Sequence, residues 1–393
     1  MDLEALGSSP LGHLVPISGN DARFGEFEYF AFNPFPLPSD VNLSSQTWTA
    51  VAEASTALGK LDFACTQLPD PRLLIRPALW REALDTSALE GTHGALRDLL
   101  EAQLDGTQFL SPEITEIRAY ERVALMAFDL VKSRPISRGF LCELQMELLK
   151  DADKPPRDLG RLRQDQVWIG ASDRPIQEAR FVPVPPDDRL KAALDEWERW
   201  VQNPLANLSP VLRAAVTHYQ FETIHPFGDG NGRIGRLVVV LQLLRDGVLN
   251  HPALTVSPWF LRRRSDYQNH LLQVSCTGDW NPWVQFFCRA VQEQSGSLIS
   301  NTGLLLDWLR DARTEVNDRR WSGAIHRLVE DLIEWPIVTV AAVAARYDVT
   351  TMNAARMVKH LVEIDVLKEM TGRSYGRIFG ATKVIEIVER MSA

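Results

Sequence analysis

A chain of 393 residues, 45% hydrophobic and 24% charged, exceeds one ordinary core and has a globular composition, so two or three domains are expected. A net charge of -9 and a pI near 5.5 argue against dominant nonspecific nucleic-acid binding without excluding a small DNA-reading module. Cys65, Cys142, Cys276 and Cys288 lack metal or redox spacing, and neither a basic-then-apolar leader nor a bilayer-length apolar run is seen. The expectation is therefore a cytoplasmic protein with free thiols and no membrane span.

Residues 1 to about 40, with the aromatic run "FGEFEYFAFNPFPLP", read as an extended arm over an apolar surface, because disordered segments seldom carry so many rings. Helical periodicity begins in "SSQTWTAVAEASTALGKL", resumes in "RPALWREALDTSALEG" and continues through "THGALRDLLEAQL". From about Pro112 to Ser295 helices dominate, interrupted by "RQDQVWIGASDRPIQEARFVPVPP", where β-prone runs flank a polar turn as in a hairpin. "ALDEWERWVQN" returns to helix, and "SPVLRAAVTHYQFETI" adds another with Ser209 as N-cap and Pro210 at the first helical position. "RIGRLVVVLQLLRDG" is apolar on nearly every side, as a central helix would be, with Gly247 at its C-terminal end. From about Ser322 the pattern is helix, turn, helix and two short strands, the layout of a winged helix. The whole reads as all-α: an N-terminal arm and helical region (1–110), a helical core with a small β-hairpin (111–300), and a linker helix with a winged helix-turn-helix (301–393).

The densest chemistry lies in "HPFGDGNGRIGR", His225 to Arg236. Gly230 to Gly235 satisfies G-x-G-x-x-G, but the preceding segment is helical, so a dinucleotide-binding strand is missing. A Walker A loop fails too, since no Gly-Lys-Ser/Thr follows. The local physics survives. Gly230, Asn231 and Gly232 adopt positive φ at little cost, so their N–H groups can form an anion nest at a helix N-terminus. Arg233 and Arg236 lie one turn apart. Asp229 beside a polyphosphate suits Mg2+, and His225 can take a proton from an incoming hydroxyl. The set suits attack on a nucleotide phosphate by a hydroxyl.

The twelve residues match H-P-F-x-D-G-N-G-R-x-x-R throughout, and on them the chain resembles the Fic family, whose commonest activity moves AMP from ATP to protein hydroxyls. "HYQFETI", "QVWIG" with "FVPVPP", and "GDWNPWVQFF" extend the likeness over about Ile75 to Ser295. The resemblance implies His225 as general base, Phe227 as a core brace and Asp229 as the Mg2+ holder. It implies the Gly230–Gly232 amides as ligands of the α- and β-phosphates, Arg233 of the β-phosphate and Arg236 of the γ-phosphate, with Ile234 and Gly235 in the same ATP-binding turn. It makes Val167, Trp168, Ile169 and Gly170 a flap that docks the target peptide as an added strand. Tyr267 falls where the family places an aromatic near adenine, although Tyr267-Gln268 stands where a tyrosine pair is common. The family's kinase-like toxin branch has Lys at the Gly232 position; this chain does not.

"TSALEG" sets Thr86 and Glu90 at i, i+4 on one helix face, with Glu90 near a helix end where a carboxylate opposes the dipole. It resembles the family's inhibitory pattern S/T-x-x-x-E-G/N, which implies that Glu90 pairs with Arg236 in the γ-phosphate's place. The resulting expectation is an autoinhibited protein adenylyltransferase using ATP and Mg2+ on a Ser, Thr or Tyr hydroxyl. UTP or another donor, AMP removal, self-modification and a homodimer stay open. The rival reading is a nucleotide-sensing winged-helix transcription regulator. Arg356, Lys359, Arg373 and Arg377 could touch DNA phosphates, but Glu363, Asp365 and Glu369 dilute that patch, so DNA binding is not favoured. His218 is expected to be structural, and Trp197, Trp200, Trp280 and Trp283 to be core.

Overall fold

The first forty residues are more regular than an arm. In the computed structural model, which describes residues 1–391 except 69, 105–109, 171–172, 204–207 and 373–375, they form α1 (Leu3–Gly7) and a hairpin of β1 (Gly12–Asp21) and β2 (Gly25–Pro34). The two strands pair antiparallel from Gly12↔Pro34 to Asp21↔Gly25. Asp21 Oδ1 shapes the turn by accepting the Arg23 and Phe24 N–H groups at 2.9 and 3.2 Å. The residues of "EFEY" alternate polar with aromatic, the period of a strand.

That hairpin continues the flap. The Phe32 N–H donates to the Val182 carbonyl at 2.8 Å, and Phe181 bridges antiparallel to Ile169. Side chains alternate across the joined strands as a pleat requires. Val15, Ala31, Val182 and Trp168 share one apolar cluster, while Leu14, Phe32, Phe181 and Ile169 share another. Among the described residues the expected flap hairpin is thus a single bridge, with a 3-10 turn at Ile176–Glu178, and gains its width from β2.

Helices make the rest. α2 (Ser45–Thr66) starts at Ser44, whose hydroxyl accepts the Thr47 N–H. α3 (Arg72–Leu89), α4 (Leu96–Glu101), α5 (Pro112–Leu130) and α6 (Arg138–Leu149) precede the flap. α7 (Asp188–Gln202), α8 (Pro210–Ile224) and α9 (Asn231–Arg245) follow it. Ser209 occupies the α8 N-cap position, but its hydroxyl accepts no capping hydrogen bond; Pro210 follows in the first turn. Every residue of α9 from Asn231 to Leu243 is buried, as its all-round apolarity predicts, and Gly247 turns the chain out with φ +70°.

α10 (Ser257–Arg262) and α11 (Arg264–Thr277) lead to α12 (Asn281–Asp318), which runs unbroken across the boundary expected near residue 300. Glu82 of α3 is buried and accepts the Val256 and Ser257 N–H groups at 3.1 and 3.0 Å, so it caps α10 from across the core. Burial pushes its carboxyl up to about 7, against the pull of Ser257.

The last segment is α13 (Ala324–Asp331), β3 (Ile337–Thr339), α14 (Val340–Tyr347), α15 (Thr351–Glu363), β4 (Lys368–Glu369), β5 (Ile378–Gly380) and α16 (Thr382–Arg390). Its strands form an antiparallel sheet ordered β3-β5-β4, one strand more than expected. Its apolar residues belong to the same core as the helical bundle. α16 packs on both α12 and α3. Arg97 donates to the Met370 carbonyl at 3.2 Å, and Arg72 lies 3.6 Å from Glu334. No helix is long and apolar enough to cross a membrane among the described residues.

Candidate active site

α8 ends at Ile224, and His225 follows with φ +50°, a left-handed turn that costs a non-glycine residue energy and redirects the chain. The loop is stapled by Asn231, whose side chain accepts the Phe227 N–H at 2.9 Å and donates to the Phe227 carbonyl at 2.8 Å. Phe227 is fully buried beside Phe221. Gly230 takes φ +87° as the N-cap of α9, the conformation for which glycine is suited. Asn231 and Gly232 are helical and need no positive φ. The N–H groups of Asn231, Gly232 and Arg233 have no backbone acceptor among the described residues, as expected of a helix's first turn. These donors, with the helix dipole, form an anion site.

Both arginines of this turn are buried, each 2% exposed, and both are held by carboxylates. Arg236 donates through Nη2 to Glu90 Oε1 at 2.6 Å and through Nε to the Thr86 hydroxyl at 2.8 Å. Burial would raise the Glu90 carboxyl, but Arg236 overrides it and holds the group below its ordinary value. Glu90 ends α3, and Gly91 turns the chain away with φ +100°. A Cβ on Gly232 would stand 2.0 Å from Glu90 Oε1, so the carboxylate fills space that only glycine leaves open.

Arg233 is gripped by Glu116 and, at 3.2 Å, by Asp229 Oδ1. The Thr92 hydroxyl meets both Glu116 oxygens at 3.1 Å, which links this second carboxylate to the segment just after Glu90. Neither Glu116 nor Thr92 carries a sequence signal, since their partners are more than twenty residues away. Asp229 is 57% exposed, and only its Oδ1 is engaged among the described residues. One open carboxylate oxygen beside an anion site fits Mg2+, which takes the rest of its ligands from phosphates and water. Among the described residues no group of three or more His, Cys, Asp or Glu side chains could hold a metal alone.

The His225 imidazole is neutral. Burial, seconded by the Arg163 charge, pushes it down to about 4, against the upward pulls of Glu90, the Glu222 backbone and Asp229. Its Nδ1 is buried without a hydrogen-bond partner. Glu222, one turn earlier, is pushed up to about 7 by burial, and its Oε1 stands 2.3 Å from where a Gly235 Cβ would be. Gly235 therefore sets the close approach of α8 and α9, and Ile234 is fully buried core.

Tyr267 is 5% exposed, with its ring stacked 4.5 Å from Phe260. Its hydroxyl meets His218 Nε2 at 2.7 Å, and His218 Nδ1 meets the Gly235 carbonyl at 3.1 Å. A carbonyl only accepts, so Nδ1 carries the proton and Nε2 accepts from Tyr267. Burial pushes His218 down to about 3, consistent with that neutral ring. The pair braces the back of α9, which gives His218 a structural place. Trp197, Trp280 and Trp283 are buried as expected, and Trp200 is half-buried.

In the flap, the Val167 carbonyl accepts from the Gln166 side chain, and Ile169 exchanges both backbone bonds with Phe181. The Trp168 N–H and C=O point the other way and have no backbone partner among the described residues. Gly170 has φ +141°. In the C-terminal segment, Arg356 donates to Asn353, Lys359 lies 3.8 Å from Glu363 and Arg377 lies 3.9 Å from Glu369; Arg373 is outside the described residues.

Residues 135–243 match the Fic/DOC family model, and residues 48–129 match the Fic/DOC family N-terminal model. Protein adenylyltransferase fic-1 of Caenorhabditis elegans is 29% identical over 180 residues, 44% of this chain and 31% of that protein. Protein adenylyltransferase Fic of Drosophila grimshawi is 32% identical over 166 residues, 42% of this chain and 30% of that protein. The chain thus spans about a third of the length of these curated relatives. A Fic family protein from Desulfovibrio desulfuricans G20 shares the fold with a TM-score of 0.56 at 21% identity, over 88% of this chain and 98% of that one. Residues 134–508 of C. elegans Fic-1 superpose with a TM-score of 0.53 at 21% identity, over 66% of this chain and 74% of that one. The chain thus carries two adjoining regions that match Fic/DOC family models, with the motif loop intact at the head of α9.

Proposed function

We propose that the protein is an adenylyltransferase, moving AMP from ATP to a Ser, Thr or Tyr hydroxyl of a protein and restrained by Glu90. The observation that carries this reading is a neutral His225 beside the free first-turn amides of α9 and two buried arginines. The amides and Arg233 would seat the α- and β-phosphates, and Arg236 the γ-phosphate once Glu90 withdraws. Asp229 would hold Mg2+, which supplies charge neutralisation on the phosphates. A target segment would add to the flap edge at Trp168, where backbone groups are open, and so bring its hydroxyl to His225.

His225 then accepts the hydroxyl proton as the oxygen bonds to the α-phosphorus. The bond from the α-phosphorus to the bridging oxygen breaks, pyrophosphate leaves, and the proton stays on His225 until solvent takes it. A pure nucleotide sensor would need the cradle but no base, so an intact His225 favours the enzyme. The C-terminal segment we read as a winged helix; its paired cations support a role in protein contact over DNA binding. Intact-mass measurement of the purified protein with ATP and Mg2+, alone and with candidate targets, should reveal added AMP. Absence of any adduct, with the Glu90→Gly variant equally silent, would refute the assignment.

A further inference from the structure

Three successive carbonyls at the end of α8 converge on one residue, two of them on its side chain and one on its backbone N–H. The Arg163 Nε donates to the His225 carbonyl at 2.8 Å, Nη2 approaches the Ile224 carbonyl at 3.5 Å, and the Arg163 N–H donates to the Pro226 carbonyl at 3.0 Å. Such carbonyls have no partner within the helix and would ordinarily turn to water. Here Ile224 and Pro226 are buried and His225 partly so, together with Arg163, which is 2% exposed. The same Nη2 also donates to the Val184 carbonyl. Arg163 precedes the flap and Val184 follows it, so one guanidinium ties both legs of the flap to the loop carrying His225. Gln166 closes the flap base by donating to Val167 and Pro183, but it does not reach that loop.

No carboxylate lies within ion-pair distance of Arg163 among the described residues, and its Nη1 is buried without a partner. Asp158 and Asp187 face it only at longer range. Burying an arginine this way is costly unless its geometry is needed, and its fork suits several carbonyls at once. We propose that Arg163 is a positioning residue: it fixes the left-handed turn at His225 and locks the flap to the catalytic loop, so that hydroxyl and base arrive in register. Its charge also faces the imidazole, along with Glu90 and Asp229, and helps keep it unprotonated. The inference rests on the adenylyltransferase reading.

Arg163→Lys keeps the charge and loses the fork; Arg163→Gln loses both. Wild-type label transfer from α-labelled ATP is measured first, because its absence condemns the adenylyltransferase reading and not Arg163. Where transfer is present, both folded variants should lose about 10²-fold in kcat, the scale of a 1 Å misplacement, while ATP Kd stays within about threefold. Only Arg163→Gln should move the acidic limb of the pH–rate profile upward, because only it removes the cation facing His225. Folded variants with wild-type kcat, or a loss confined to ATP Kd, would overturn the proposal. If neither variant folds, the wild type still decides by NMR. The Arg163 Nε–H should be protected from exchange and should shift as His225 titrates. A freely exchanging, unresponsive Nε–H rejects the idea.

Discussion

Glu90 and the γ-phosphate of a bound nucleotide would compete for one guanidinium, that of Arg236. Glu90→Gly removes the charge and the bulk beside Gly232 together, and should raise AMP transfer by up to about 10²-fold, read as label on targets or on the protein itself. Arg236→Ala should not imitate it, because the phosphate's ligand goes with the carboxylate's anchor. An unchanged Glu90→Gly rate at saturating ATP would leave the pair a structural tie. For His225→Ala we expect a loss on the order of 10²–10⁴ in rate with ATP binding nearly kept. A base must be unprotonated to act, and His225 sits at about 4, so the rate should fall only as pH drops through about 4, not near 6.5. The loop was legible in the sequence because twelve contiguous residues carry it, and Glu90 because its helix ends in a glycine. Arg163, Glu116 and Thr92 were not, since common residue types acquire meaning only through partners brought from elsewhere in the chain. For Tyr267 the position was legible but not its surroundings: the hydroxyl is taken by His218.

The N-terminal hairpin shows what patterning hides at the level of elements. Its aromatics suggested cover for an apolar surface, but the strand period was masked where "FEYFAF" places rings on both faces, Phe27 and Tyr29 on one and Phe32 on the other, and the partner strand lies some 150 residues away in the flap. Ala31 is fully buried between Val15 and Val182 at this seam. Ala31→Glu would place a carboxylate there without a partner, at more than the about 1–3 kcal/mol of a neutral polar group, and should part the hairpin from the flap. Hydrogen exchange at the Ile169 and Phe181 amides should then quicken while α9 stays protected. Unaltered flap exchange in a folded variant would mean the bridge stands without β2. The helices were easier to read, because caps and 3.6-residue periodicity are local; α12 escaped its expected boundary since nothing in its sequence breaks the turn at residue 300.

For the whole molecule, the buried titratable groups oppose one another with pH. The unfolded chain protonates His218 and His225 near 6.5, whereas the native ones resist to about 3 and 4, so their contribution falls as pH drops below about 6.5. Native Glu82 and Glu222 hold protons up to about 7 that the unfolded chain releases above about 4.5, so their contribution rises over the same descent. We expect a nearly flat urea midpoint between about pH 4.5 and 6.5, then a steep decline once the carboxylates are protonated in both states; a midpoint falling steadily from pH 6.5 would contradict this balance. α16 packs on α3. Helix α3, roughly 27 Å long by its 18 residues, is gripped near its start through Arg72 and Glu334 and carries Glu90 at its far end. It is a pushrod. A molecule that prised α16 loose would release the carboxylate without touching the nucleotide, and by reciprocity a nucleotide that expelled Glu90 would loosen the grip on α16.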